Sequence, residues 1–292
     1  MNIIFQIEGG LGKSILGTAV VKVIRKHYKN ANIIVVSHYP EVFLNNPDVN
    51  KIYNFNNING FYLKYIKDQK CEIFIEDPYR HSNFLLQKPI LILKTWCELF
   101  NLKYSGEQPQ IYITQPEADY FVPYYNTEKP ILALHPNGGP AGLDYKYAWT
   151  RDIPEPCILD IINHYKNDYT IVHIKREDQK PYPDTFQALD NYRSIAVLFY
   201  LSKKRLLIDS FSQHLAASLN LKSTVCWVTT KPEIFGYKLH DNIKANPFTK
   251  EPLIQDRAYQ PFELSENIHT IPYNNLREIF DINKIIESVN NQ

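Results

Sequence analysis

The same short grammar is written twice in this chain, and that duplication constrains the fold more than any other feature. Residues 2–7 (Asn-Ile-Ile-Phe-Gln-Ile) form a β-rich apolar run ending in Glu8-Gly9-Gly10-Leu11-Gly12. Residues 131–135 (Ile-Leu-Ala-Leu-His) form another, ending in Pro136-Asn137-Gly138-Gly139-Pro140-Ala141-Gly142. Glycine is otherwise scarce: ten in 292 residues, with Gly9, Gly10, Gly12 and nearby Gly17 clustered at the first stretch and Gly138, Gly139 and Gly142 in the second. A typical chain carries ~7% glycine, so these are placed for backbone reasons.

Each run and loop leads into helical spacing. Residues 14–28 carry Ile15, Ala19, Val20, Val23 and Ile24 on one face, with Arg25, Lys26 and His27 at the C-terminal end. A strand is expected at 32–37, completing a βαβ unit and hence a parallel sheet. Further strands are expected at 51–55 and 72–75, then a helix within 84–102 broken near Pro89. The pattern dissolves over 114–130, which reads as a linker. In the second half the expectations are a helix over 156–165 burying Ile158, Leu159, Ile161 and Ile162, and strands at 170–174, 205–208 and 224–228. A short helix at 212–219 and a closing amphipathic helix over 276–289 complete them. The expected fold is α/β: two Rossmann-like domains, 1–125 and 126–292, facing each other across a cleft. In such sheets ligands bind beyond the carboxyl ends of the strands, where both loops lie.

Composition removes whole classes. Hydrophobic residues are 44% and charged residues 22%, a globular balance. Thirty-two basic against thirty-one acidic side chains leave a net charge of +1, so no global field favours nucleic acid or an anionic membrane. Peripheral membrane contact through a local patch stays open. Cys71, Cys97, Cys157 and Cys226 show neither C-x-x-C spacing nor a neighbouring His at ligand distance, so they read as reduced thiols. The start Met1-Asn2-Ile3-Ile4-Phe5 lacks a basic n-region, and no run approaches the ~20 apolar residues of a span. A cytoplasmic protein is expected.

Glu8-Gly9-Gly10-Leu11-Gly12-Lys13-Ser14 nearly spells a phosphate loop, but Ile7 stands where G-x-x-x-x-G-K-[ST] needs its first glycine. A nucleotide hydrolase or kinase built on Gly12-Lys13-Ser14, with Glu76-Asp77 holding magnesium, is therefore one reading. The second half favours another. Leu207-Ile208-Asp209-Ser210-Phe211-Ser212-Gln213-His214-Leu215-Ala216-Ala217 is a strand ending in Asp-Ser, then a helix start with Ser210 or Ser212 as N-cap and His214 one turn inside. A helix start of this kind presents amides, a hydroxyl and an imidazole to an anion.

That run, with Lys222-Ser223-Thr224-Val225 and Thr229-Thr230-Lys231-Pro232 after it, resembles the donor-side signature of family 9 glycosyltransferases, the bacterial heptosyltransferase group. His135-Pro136-Asn137-Gly138 followed by Lys146-Tyr147-Ala148-Trp149 is similar to that family's His-Pro-Gly … Lys-x-Trp segment. The resemblance runs through most of the chain in order, more specific in the C-terminal half. It implies the GT-B fold and an inverting, metal-independent transfer from a nucleotide-diphosphate sugar, ADP-heptose or another, to a carbohydrate or glycolipid acceptor. No cofactor is implied beyond that co-substrate. A non-catalytic glycan-binding relative is the remaining alternative, and nucleic acid is not a favoured partner.

The chemistry assigns roles. The leaving diphosphate needs amides, a helix N-terminus and a cation: Asn137, Gly138, Gly139, Lys146, Trp149, Asp209, Ser210, His214, Thr229 and Thr230 are the donor-side candidates. Gly9, Gly10, Gly12, Ser14 and His38 are the acceptor-side candidates. The acceptor hydroxyl needs a base. The resemblance calls for Asp after the loop glycine, where this chain has Lys13; Lys13 is then a catalytic-site candidate that binds a phosphate or carboxylate on the acceptor, and Glu8 and Asp77 become the base candidates, with His38 a weaker choice. Phe211 replaces a family glycine and narrows the donor side.

Overall fold

The computed structural model describes residues 1–138, 150–250 and 271–292. Its strands form two all-parallel sheets. The first takes β1 (Asn2–Ile7), β2 (Asn32–Ser37), β3 (Lys51–Asn54) and β4 (Cys71–Phe74) in the order β3-β2-β1-β4. The second takes β5 (Ile131–Leu134), β6 (Thr170–His173), β7 (Phe186–Gln187), β8 (Ser202–Ile208), β9 (Thr224–Trp227) and β10 (Asp241–Lys244) in the order β10-β9-β8-β5-β6-β7. The helices are α1 (Leu11–His27), α2 (Phe61–Tyr65), α3 (Ser82–Leu85), α4 (Ile92–Leu99), α5 (Gln115–Phe121), α6 (Glu155–Tyr165), α7 (Tyr192–Leu201), α8 (Phe211–Ser218), α9 (Pro232–Phe235) and α10 (Ile282–Asn290).

This is the two-lobed α/β arrangement expected. Each sheet has one strand at which the chain's direction of growth reverses: β1, flanked by β2 and β4, and β5, flanked by β6 and β8. A crevice opens beyond the carboxyl end of such a strand. Both reversal points carry the glycine loops, so the repeated grammar builds the two walls of one cleft.

The lobes share a continuous apolar core. Phe5 packs on Trp96 at 5.5 Å between ring centroids, and Phe235 of the second lobe packs on Tyr79 and Phe84 of the first at 6.1 and 6.0 Å. Polar groups tie the lobes as well. Arg193 of α7 grips Glu117 of α5 at 2.8 Å through both Nε and Nη2, and donates to the carbonyls of Tyr112 at 2.6 Å and Glu41 at 3.2 Å. Burial opposes the charge on Glu117, but the bonds from Arg193 and Thr114 outweigh it and hold its carboxyl down at about 2.

Several expectations are corrected. Helix α1 begins at Leu11 rather than at 14, so Gly12 and Lys13 lie in its first turn and the loop is only Glu8–Gly10. The broken helix of 84–102 is two helices, α3 and α4. The stretch read as linker contains α5 and a 3-10 turn, Val122–Tyr125. Leu159 stands exposed, while Ile158, Ile161 and Ile162 are buried. The closing helix is interrupted, a 3-10 turn at Leu276–Glu278 followed by α10. Asp281 caps α10 by accepting from the Asn283 amide at 3.1 Å.

Candidate active site

The cleft between the lobes encloses about 570 Å³ and is lined from the first lobe by Glu8, Gly9, Gly10, Leu11, Gly12, Lys13, Tyr39, Asp77 and Tyr79. The second lobe contributes Gly138, Arg151, Arg176, Asp209, Ser210, Phe211, His214 and Phe235.

Its electrostatic character follows from two helix ends. Gly10 is the N-cap of α1 and Ser210 the N-cap of α8; neither helix has a side-chain cap or an acidic residue in its first turn. The amide groups at both starts therefore keep their positive pole, and both line the same space. The helices meet closely. A Cβ on Gly12 would stand 3.2 Å from His214 Cδ2 and 3.4 Å from Phe211 Cα. Gly9, at φ +108°, supplies the left-handed turn that swings the chain from β1 into α1. On the other wall, a Cβ on Gly138 would lie 3.3 Å from Ser210 Oγ, so the turn after β5 and the corner after β8 are neighbours.

The carboxylates and cations divide into distinct tasks. Lys13 Nζ lies 3.0 Å from Asp77 Oδ1, over the faces of Tyr79 and Trp96 at 5.5 and 5.7 Å. The Tyr79 amide donates to the same oxygen at 3.0 Å. Lys13 is thus a buried partner of Asp77. Glu8 is exposed, its Oε1 accepting from Gln6 at 2.9 Å. Asp209 is buried, and its Oδ2 accepts no hydrogen bond among the described residues; Arg151 Nη2 stands 4.0 Å away. Arg176 is braced by Asp178 at 2.7 Å and donates to the Gly138 carbonyl at 3.4 Å. Burial first, and then the Asp209 carboxylate, push the Tyr79 phenol up.

Other candidates serve the frame. The Gly138 amide donates to buried Asp152 at 3.0 Å and Asn137 Nδ2 to the same carboxylate at 3.3 Å, while Tyr182 donates to Asn137 Oδ1 at 2.9 Å. These groups fix the turn and are not a vacant amide cradle. His214 pairs through Nδ1 with the Tyr237 hydroxyl at 2.9 Å and through Nε2 with Gln213 at 3.4 Å. Burial, then His240 and Arg151, lower its pKa to about 3, so it is neutral and offers the crevice a carbon edge. Ser14 is fully buried on Ser37 Oγ at 3.0 Å, and His38 rests against Phe55 at 4.6 Å; neither lines the crevice. Thr229 is tied to the Thr150 carbonyl at 3.0 Å through its hydroxyl. Thr230 lines a second pocket of about 560 Å³ with Trp227, Phe248, Gln87 and Pro89. Gly139, Lys146 and Trp149 lie outside the described residues.

Sequence reasoning missed Arg151 and Asp152, just past the Lys146–Trp149 segment, Tyr79 in the 3-10 turn that Asp77 caps, and Arg176, a single side chain in the loop after β6. The phosphate-loop alternative loses its parts here: the loop has three residues, Lys13 is held by Asp77, and the Ser14 hydroxyl by Ser37.

No family model and no curated protein sequence matches this chain. Solved structures do. A glycosyl transferase family 9 protein from Veillonella parvula DSM 2008 is 13% identical with a TM-score of 0.62, the match covering 83% of this chain and 85% of that one. ADP-heptose lps heptosyltransferase II from E. coli is 13% identical with a TM-score of 0.64, covering 100% and 99%. The iron-containing dodecameric glycosyltransferase TibC from enterotoxigenic E. coli H10407 is 10% identical with a TM-score of 0.64, covering 99% and 75%. At these identities the likeness is one of architecture: the chain has the two-lobed GT-B fold of the heptosyltransferases.

Proposed function

We propose that the protein is an inverting glycosyltransferase that moves a sugar from a nucleoside-diphosphate donor to a hydroxyl of a carbohydrate or glycolipid. The observation that carries this reading is the pair of uncapped helix starts, α1 and α8, converging on one GT-B crevice that also holds Arg151, Arg176 and the carboxylate of Asp77. Residues 1–125 would take the acceptor and 126–292 the donor.

The chemistry follows from those groups. As the anomeric carbon becomes oxocarbenium-like, negative charge gathers on the leaving diphosphate. The amide poles and the two guanidinium groups stabilise it where it develops. These fixed cations can fill the role of a divalent metal, so the transfer is proposed to need neither metal nor cofactor. Asp77 Oδ2 takes the proton from the acceptor hydroxyl, whose oxygen attacks the anomeric carbon from the face opposite the diphosphate. Lys13 and the Tyr79 amide hold the carboxylate by its other oxygen. Asp209 Oδ2, buried and unbonded, suits a sugar hydroxyl donor. Glu8 is the second base candidate. Among the described residues no helix is long and apolar enough to cross a membrane, and the proposed setting is the cytoplasm.

A panel of nucleotide sugars, with release of nucleoside diphosphate as readout, tests the reading. Turnover with at least one donor should persist in EDTA. Loss of turnover in EDTA with recovery on adding a divalent metal would refute metal independence. Tight nucleoside-diphosphate binding with no turnover on any donor and acceptor would assign a binding protein instead.

A further inference from the structure

Two arginines from separate loops line the crevice, Arg176 after β6 and Arg151 before α6. An arginine side chain is long and samples many rotamers, so one kept ready for an anion needs a frame. Both frames lead back to the same buried polar cluster. Asp178 braces the Arg176 guanidinium from the exposed side. From the buried side Arg176 depends on Gln179, which is 5% exposed. Gln179 Oε1 accepts from the Arg176 amide at 3.0 Å, and the Gln179 amide donates back to the Arg176 carbonyl at 3.2 Å. These reciprocal bonds close residues 176–179 into a turn and fix the direction in which Arg176 leaves the backbone. At its other end Gln179 Nε2 donates to the Asn137 carbonyl at 3.2 Å, beside the Gly138 carbonyl that Arg176 Nη1 reaches at 3.4 Å. The loop after β6 is thereby fastened to the turn after β5 at consecutive carbonyls.

Asp152 holds that turn from the opposite side. Its buried carboxylate accepts from the Gly138 amide and from Asn137 Nδ2, and the next residue, Ile153, donates its amide to the Pro136 carbonyl at 2.9 Å. Arg151 directly precedes Asp152, so the backbone that carries it is pinned to the turn as well. Tyr182 completes the cluster on Asn137 Oδ1. Burial first, then Glu155 and Asp152, push its phenol up, which keeps it a donor. Asn137 is the hub: its carbonyl takes Gln179, and its side-chain amide takes Asp152 and Tyr182. None of these four side chains lines the crevice. Apolar groups of the same volume often support stability as well, whereas a bonded polar network fixes direction.

We propose that Asn137, Asp152 and Gln179 are positioning residues for a diphosphate: without touching it, they hold Arg176 and Arg151 aimed into the crevice before it arrives. The inference rests on the reading of the crevice as a diphosphate site and adds the frame behind it. A ligand then meets two cations already in place, and less side-chain freedom is lost on binding.

Calorimetric titration of the full chain with inorganic pyrophosphate, repeated with UDP and ADP, tests this without turnover. Gln179→Met keeps the volume and removes both side-chain bonds, so pyrophosphate affinity should fall by roughly tenfold. The decisive comparison is a double-mutant cycle. If Gln179 acts through Arg176, the Arg176→Ala/Gln179→Met variant binds no more weakly than Arg176→Ala alone; a general loosening of the lobe would add the two losses. Should Gln179→Met fail to fold, Gln179→Glu takes its place, keeping the acceptor for the Arg176 amide and losing only the donor to Asn137. The Asn137–Asp152 pair can also be inverted. Asn137→Asp and Asp152→Asn should each weaken pyrophosphate by about tenfold, and the two together should recover affinity to within about threefold of wild type. In that double variant the carboxylate at 137 accepts from Tyr182 and from the amide at 152, whose oxygen accepts from Gly138. Thermal melts confirm folding of each variant. Affinity of Gln179→Met within about twofold of wild type, additive losses in the cycle, or a folded inverted pair that still binds weakly would overturn the proposal and leave the diphosphate site standing. A wild-type protein that binds neither pyrophosphate nor a nucleoside diphosphate would overturn both.

Discussion

Replacing Asp77 by Asn separates the two tasks assigned to that residue. The amide keeps the shape but can neither accept the acceptor proton nor balance Lys13. A general base contributes 10²–10⁴-fold, so turnover should fall by about a thousandfold, roughly 4 kcal/mol of barrier. The structural cost is smaller. Breaking a buried ion pair from one side typically costs ~3–5 kcal/mol. Here the Lys13 side chain is 8% exposed but that of Asp77 is 30% exposed. Solvent screening and the ring faces of Tyr79 and Trp96 reduce the penalty to about 2 kcal/mol. For a chain of 292 residues that is a fall of about 3 °C in Tm. Adding Lys13→Met removes the orphaned ammonium, keeps the methylenes packed on the two rings, and should restore most of the lost stability. Turnover should stay low in that double variant. Calorimetry and nucleoside-diphosphate release on the same preparations read the two effects apart. If Asp77→Asn kept turnover within about threefold of wild type, or the double variant recovered it, Asp77 would be a structural partner of Lys13 and the base would lie elsewhere.

Two further outcomes test the cleft and the junction of the lobes. Gly12→Val places branched carbons where a single Cβ already meets His214 at 3.2 Å and Phe211 at 3.4 Å, so it should part the helix starts and weaken nucleoside-diphosphate affinity by roughly tenfold or more in calorimetric titration. Unchanged affinity would mean that the two poles do not act together. The Arg193–Glu117 clasp makes stability sensitive to acid: Glu117 has its pKa lowered from 4.5 to about 2, so its contribution is complete above pH 4.5 and fades as pH falls toward 2. Denaturant titrations over that window should show the loss, roughly 2–3 kcal/mol at most, and Glu117→Gln should flatten the dependence.

The sequence made the strands and the crevice walls legible because their signals are local. A short apolar run closed by glycine, proline or small polar residues has few alternatives, and β1, β2, β5, β8 and β9 lie where such runs occur, β1 and β5 before the glycine loops. Helix α5 was not legible by periodicity because none of its residues is buried. Its signal was of another kind, the capping box in which Thr114 and Glu117 exchange hydrogen bonds. Helix α7 is apolar nearly all round, being buried from Tyr192 through Phe199, so it carries no stripe to read. Within the site, Asp209, Ser210 and His214 stood out as a motif, yet only the fold reveals that His214 spends both ring nitrogens on Tyr237 and Gln213. Arg151 and Arg176 reach the crevice from loops that follow no pattern, and Asp77 acquires meaning only beside Lys13.

The meeting of α1 and α8 at Gly12 has a consequence for the order of events. Each lobe contributes one uncapped helix start to this space, so a diphosphate bound as proposed would bridge the two lobes and draw them together like a latch. Under the proposed transfer, escape of the spent diphosphate would require that latch to open, so parting of the lobes, rather than bond making, would be the natural bottleneck of the cycle.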